Sequence, residues 1–147
     1  MVEVSREARL ALFPTFLRRG TVIRVEQYPF LYQGPRDKFL VLLNQQFRTD
    51  RPLYCVLTTS RTEALPFPNL TIVLQAGTVP FFRRDTAIPC REIIPLDFGF
   101  LAQRYADSKL TFVGELSAAV MTELDRILAA SPYLARAIAR EILPPQP

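Results

Sequence analysis

The sequence predicts an α+β domain: an antiparallel sheet or small barrel of about five strands, with helices packed beside it. Three observations lead there. Short apolar segments of strand length fill the middle of the chain. The gaps between them are hairpin-sized, too short for the helical crossovers that parallel strands require. Beyond residue 96 the apolar residues recur at helical spacing instead. A chain of 147 residues suits one domain, with a strand-rich core at about 20–96, a helical part at about 97–143 and a fraying tail at 144–147.

Each element has a local cause. Residues 5–18 read as a helix: Ser5 can cap it, Leu10, Phe13 and Leu17 share a face, Pro14 disturbs it and Gly20 stops it. In the strand 21–28, Val22, Arg24, Glu26 and Tyr28 point one way while Ile23 and Val25 point the other. Pro29, Gly34 and Pro35 mark a loop over 29–37, and 39–43 is apolar on both faces, the pattern of a central strand. A basic turn over 45–52 leads to a third strand at 53–59. A longer loop at 60–69 precedes a fourth strand at 70–74, and a fifth spans 87–94, where Pro89 implies an edge or a bulge. Asp97 caps a short helix carrying Phe98, Leu101 and Tyr105. Residues 108–114 read as a short extended piece. Ser117 caps an amphipathic helix with Leu116, Val120, Leu124, Ile127 and Leu128, and Leu116 can staple to Met121. Ser131-Pro132 reads as the start of a last helix lined by Leu134, Ile138 and Ile142.

Two absences narrow the chemistry. No His occurs, which excludes His-based acid–base catalysis, Ser-His-Asp triads, Cys-His dyads and His-ligated metals. The two cysteines, Cys55 and Cys90, lie in strand-like segments and form no C-x-x-C, so they read as core residues of a cytoplasmic protein and no metal site is expected. No apolar run is long enough to span a membrane, and the N-terminal residues carry charge where a signal peptide needs an apolar stretch. At 49% apolar residues the chain is ordinary for a folded domain, not a disordered one.

The net charge of +4 is concentrated. Residues 36–91 hold eight bases, Arg36, Lys38, Arg48, Arg51, Arg61, Arg83, Arg84 and Arg91, against four acids, while the remainder balances. Most bases are Arg, whose planar fork matches phosphate. With Phe47, Tyr54, Phe67, Phe81 and Phe82 nearby, the zone has the composition of a single-stranded nucleic-acid site. Ordinary solvated loops in an Arg-rich chain give the same count.

Four stretches carry a family resemblance. Gly20-Thr21-Val22-Ile23-Arg24-Val25 resembles an opening "G-D-I-V-x-V" strand. Gly34-Pro35-Arg36-Asp37-Lys38-Phe39-Leu40-Val41-Leu42-Leu43 resembles a "G-x-x-x-R-P-x-L-V-L" loop and strand. Val56-Leu57-Thr58-Thr59-Ser60-Arg61, followed by Pro66-Phe67, resembles "V-x-x-T-T-x" and its polar loop. Ile88-Pro89-Cys90-Arg91-Glu92-Ile93-Ile94 and Val113-Gly114-Glu115-Leu116-Ser117 resemble "V-x-C-D-x-I" and "x-G-x-L-S". Together, over about residues 20–130, they resemble the MazF/PemK-like toxins of the CcdB/PemK superfamily.

The resemblance implies a small SH3-like β-barrel with flanking helices and metal-independent, cofactor-free endoribonuclease activity on single-stranded RNA. It also implies a homodimer held in check by an antitoxin protein. It places catalysis on Lys38 and on Thr59 and Ser60, ahead of Thr58. Among the other bases, Arg36 and Arg61 are placed to hold flanking phosphates and Arg83 and Arg84 to extend an RNA track, the alternative being solvated loop charges. The family's Arg-Pro is here Lys38-Phe39, and residues 30–36 lack the acid usual in the preceding loop, leaving Asp37 as the closest one. The alternative is a catalytically inactive interaction module on the same barrel that binds a partner peptide. Apolar central strands also point to a dimer, unless the terminal helices cover them.

Overall fold

In the computed structural model, which describes residues 4–28, 36–62 and 65–145, the N-terminal helix α1 (Arg6–Leu12) starts where Ser5 Oγ accepts the Ala8 N–H at 3.1 Å. The side chains of Tyr28 and Arg36 lie outside that description. Pro14 turns the chain into a short 3-10 segment (Phe13–Phe16), as its missing N–H requires. Gly20 follows at φ +87°, and a side chain there would also meet Met121 Sδ at 3.2 Å.

Seven strands come next: β1 (Thr21–Tyr28), β2 (Arg36–Leu42), β3 (Leu53–Leu57), β4 (Thr71–Leu74), β5 (Thr86–Pro89), β6 (Ile94–Leu96) and, after helix α2 (Phe98–Ala106), β7 (Leu110–Glu115). Helices α3 (Ala118–Ala130) and α4 (Arg136–Ile142) close the chain. Five strands form one antiparallel sheet in the order β6-β3-β2-β1-β7, and β4 pairs with β5. The two sheets are joined at Thr59 and Ala87, which exchange backbone hydrogen bonds of 2.9 and 2.8 Å. The fold is therefore α+β, with an antiparallel sheet and flanking helices.

Alternation along the strands sorts side chains between two cores. Ile23, Val25, Leu40, Leu42, Leu53 and Cys55 pack with Phe13, Leu17, Phe98 and Leu101 of the N-terminal segment and α2. Val22, Val41, Leu43, Val56 and Ile88 pack with Leu124, Ile127, Leu128 and Ile142 of α3 and α4. Both faces of the central strands are thus covered by the chain's own helices, which removes the packing reason for a dimer. Cys55 and Cys90 are free and buried, and burial pushes both thiols above their ordinary values, Cys90 to about 12.

Three elements differ from expectation. The strand expected over 87–94 is two: β5 pairs with β4 as far as Pro89, the Cys90 N–H still bonds Leu70 C=O at 2.8 Å, and the chain then bends at Arg91 before β6 pairs with β3. The extended piece at 108–114 is a full sheet member, paired with β1 through a bulge at Val113. Ser131 ends α3 instead of starting α4: its N–H bonds Leu128 C=O at 3.2 Å, its Oγ accepts the Tyr133 N–H, and α4 begins at Arg136. Asp97 and Ser117 cap α2 and α3 as the sequence indicates, accepting the Phe100 and Val120 N–H groups at 2.8 and 3.2 Å. Among the described residues no helix is long and apolar enough to cross a membrane.

Candidate nucleic-acid interface

The β2–β3 ladder leads directly to the site. Leu40 pairs with Leu57, and the Thr58 N–H bonds Phe39 C=O at 3.1 Å, so the register brings Thr59 across from Lys38. There β3 leaves β2 and turns to Ala87 of β5. The divergence opens a cleft of about 720 Å³. Lys38, Phe39, Thr58, Thr59, Ser60 and Arg61 line one wall. Phe81, Phe82, Arg83, Arg84 and Thr86 line the other, with Arg24, Asp37 and Val113 at the ends.

The opposing wall is a structured loop. Asp85 Oδ1 accepts the Ala76 N–H at 2.8 Å and closes it, and the Phe82 N–H bonds Val79 C=O at 3.1 Å. Phe82 is buried edge-on against Phe39, with ring centroids 5.7 Å apart. Phe81 meets Phe82 edge to face at 4.8 Å and lies over Gly114, where a Cβ would meet its Cε1 at 2.6 Å. The cleft therefore has an aromatic floor. By strand alternation Lys38 leaves β2 on the face opposite Phe39, so it reaches the cleft at its rim.

The hydroxyls differ in what they have left to give. Thr58 Oγ1 donates to Phe39 C=O at 3.3 Å, and Thr86 Oγ1 to Arg84 C=O at 3.0 Å. Thr59 Oγ1 accepts the Arg61 N–H at 3.1 Å, which leaves its own proton available. Ser60 is exposed and makes no hydrogen bond among the described residues. Thr59 and Ser60 are consequently the two hydroxyls able to meet a ligand.

The charges are equally unequal. Arg24 pairs with Asp37 and lies 3.8 Å from Glu26. Asp37 also accepts the Gln27 N–H at 3.0 Å; that bond, then the Arg24 charge, holds its carboxyl below the ordinary value. Gln27 sits at φ +52° in the bulge between β1 and β2, so Asp37 also fixes the backbone there. Arg61, Arg83 and Arg84 are exposed and form no ion pair among the described residues.

Of the residues singled out from sequence, Lys38, Thr58, Thr59, Ser60, Arg61, Arg83 and Arg84 thus share one cleft. The Arg36 side chain and residues 29–35, part of the stretch 29–37 read from the sequence as a loop, lie outside the described residues. The described wall opposite β3 is the Phe81–Arg84 loop. Arg24 was not singled out, whereas Phe81 and Phe82 of the floor were, as aromatics of the basic zone. A signal for Arg24 exists: it interrupts an apolar strand on the face it shares with Val22. Among the described residues no cluster of three acidic or Cys side chains could hold a metal ion. No protein-family model and no curated protein matches the chain.

Proposed function

We propose that this cleft binds single-stranded RNA and that the protein is a MazF/PemK-like, toxin-type endoribonuclease acting without metal. The observation that carries the proposal is the cleft itself: three exposed Arg side chains that form no ion pair among the described residues, together with Lys38, surround an aromatic floor. Arg clusters take phosphates, and aromatic surfaces take unpaired bases. The SH3-like barrel belongs to the same proposal. It is supported by the order β7-β1-β2-β3, continued through Thr59–Ala87 to β5 and β4, with Phe81 of the β4–β5 loop resting on Gly114 of β7. A homodimer and an inhibitory antitoxin are its further parts.

The cleavage assigned to the cleft is internal transesterification. The ribose 2′-oxygen attacks the adjacent phosphorus, its proton passes to a base, and the 5′-oxygen leaves with a proton, giving a 2′,3′-cyclic phosphate and a 5′-hydroxyl. Lys38 and Arg61 stabilise charge on the phosphorane, and Thr59 or Ser60 donates to a phosphate oxygen. The weak point is the base. Asp37 is held ionised by Gln27 and Arg24, which lowers its affinity for a proton. That favours slow cleavage. It also supports the second reading, an inactive module whose cationic cleft binds an acidic partner peptide.

The test is incubation of the pure protein with a long single-stranded RNA in chelator and low salt. Binding with slow cleavage, lost in Lys38→Ala, is the expected outcome. Binding without cleavage transfers the assignment to the interaction module, and failure to bind removes the RNA reading.

A further inference from the structure

Arg91 lies outside the cleft and has an unusual setting. Its guanidinium carbon sits 4.3 Å from the ring centre of Phe67 and 4.7 Å from that of Tyr133. The two rings meet edge to face at 5.9 Å. Each partner is itself anchored. Phe67 C=O accepts Thr71 Oγ1 at 2.8 Å and the Leu70 N–H at 3.0 Å, and the Tyr133 N–H is held by Ser131 Oγ at 3.2 Å. Tyr133 is 52% exposed, and Arg91 itself is exposed.

With their centres only 5.9 Å apart, the two rings approach the guanidinium from one side instead of covering both of its faces, and its remaining side is exposed. Arg91 has no ion pair and no hydrogen bond among the described residues to use its N–H donors. The aromatic contacts hold the side chain in place, so little rotamer freedom remains to be lost when an anion arrives. An exposed, oriented guanidinium that forms no ion pair among the described residues is a receptor for a phosphate group. The exposed Tyr133 ring beside it offers a surface for an unpaired base.

The chain links this receptor to the cleft. Thr86 lies in the cleft wall, and Arg91 is five residues further on, at most about 18 Å away in extended chain. On the other side Arg61, in the cleft, and Phe67 belong to the same loop. A strand too short to leave the cleft cannot touch Arg91.

We infer that Arg91, held against Phe67 and Tyr133, is a second phosphate-binding point for a single-stranded nucleic acid whose other end occupies the cleft. This rests on the RNA reading of the cleft and adds the direction in which the strand leaves it. Arg91 binds substrate outside the reacting centre, so it acts on affinity and not on the chemical step.

Two probes separate the cleft from the second point: a uridine dinucleotide and an oligouridylate of about ten nucleotides, within the range usual for a single-strand-binding groove. Arg91→Ala is expected to weaken the long probe about tenfold or more, as loss of a charge-assisted phosphate contact does, and to leave the dinucleotide unchanged. Arg91→Lys, which keeps the charge and loses the fork, should recover only part of the loss. Tyr133→Ala, which removes one ring and no charge, should also weaken only the long probe. Equal binding of the long probe by wild type and Arg91→Ala overturns the inference and leaves the cleft reading standing. Equal loss of both probes in Arg91→Ala also overturns it, because it marks a structural prop for the loop. If wild type binds neither probe, the cleft reading itself has failed.

Discussion

Lys38 and Ser60 face the same cleft in different conditions. Lys38 rises at the rim, across the ladder from Thr59, where a phosphate would arrive. A cation there stabilises charge that grows as the phosphorane forms, so Lys38→Ala should abolish cleavage and weaken RNA binding only about two- to fivefold. Single-turnover rates and binding isotherms of the two proteins separate those effects. Asp37 makes a different prediction. Its carboxyl is depressed in the folded chain by the Gln27 N–H and by Arg24. Such a group stabilises the fold above its unfolded value of 3.8, and the contribution disappears as pH falls through the lower folded value. Urea unfolding followed from about pH 5 down to about pH 2 should therefore show wild type losing stability more steeply than Asp37→Asn. Arg24 and Asp37 are both about two-fifths exposed, so the difference is small.

The β4–β5 loop depends on β7 for its place. Phe81 occupies space that any side chain at position 114 would need. Gly114→Ala should cost about 1–3 kcal/mol by forcing the ring away and should disturb the cleft floor with it. Adding Phe81→Ala to Gly114→Ala should relieve part of the clash, read as a non-additive pair of unfolding free energies. Arg19 links other elements. It donates to Leu43 C=O and Ile142 C=O, both at 2.9 Å, and pairs with Asp125. Arg19→Ala should destabilise by about 2–4 kcal/mol, because Leu43 C=O and the Asp125 carboxylate lose this partner and Ile142 C=O keeps only Gln45 Nε2, at 3.2 Å.

These elements also mark how far the sequence could be read. Caps and strands with strong local causes, Ser5, Asp97, Ser117 and the apolar run of β2, appear in the sequence as they do in the fold. What the sequence obscured depended on partners far along the chain. β7 is a strand because β1 accepts it, and its glycine is explained by Phe81. Ser131-Pro132 carries a start signal for a helix, yet its serine closes the preceding one. The basic residues of the cleft were visible from charge clustering and the family resemblance. Arg24 was not, and Phe81 and Phe82 were visible only as aromatics of the basic zone, since only the divergence of β3 from β2 brings these residues to one opening.

For the molecule as a whole, the paired cores decide what the surface can do. Helices from both ends of the chain cover the sheet, so the domain has no bare sheet face to hide. Its asymmetry lies in charge: the middle of the chain carries the excess, and folding gathers much of it around one opening. The most direct test of that account is the salt dependence of binding of a single-stranded oligoribonucleotide, measured by fluorescence anisotropy with chelator present. Contact with about three or four phosphates predicts a slope of log K against log salt of about −2 to −3, made shallower by about 0.7 in Arg83→Ala. Absence of binding in low salt, or binding indifferent to salt, would contradict it.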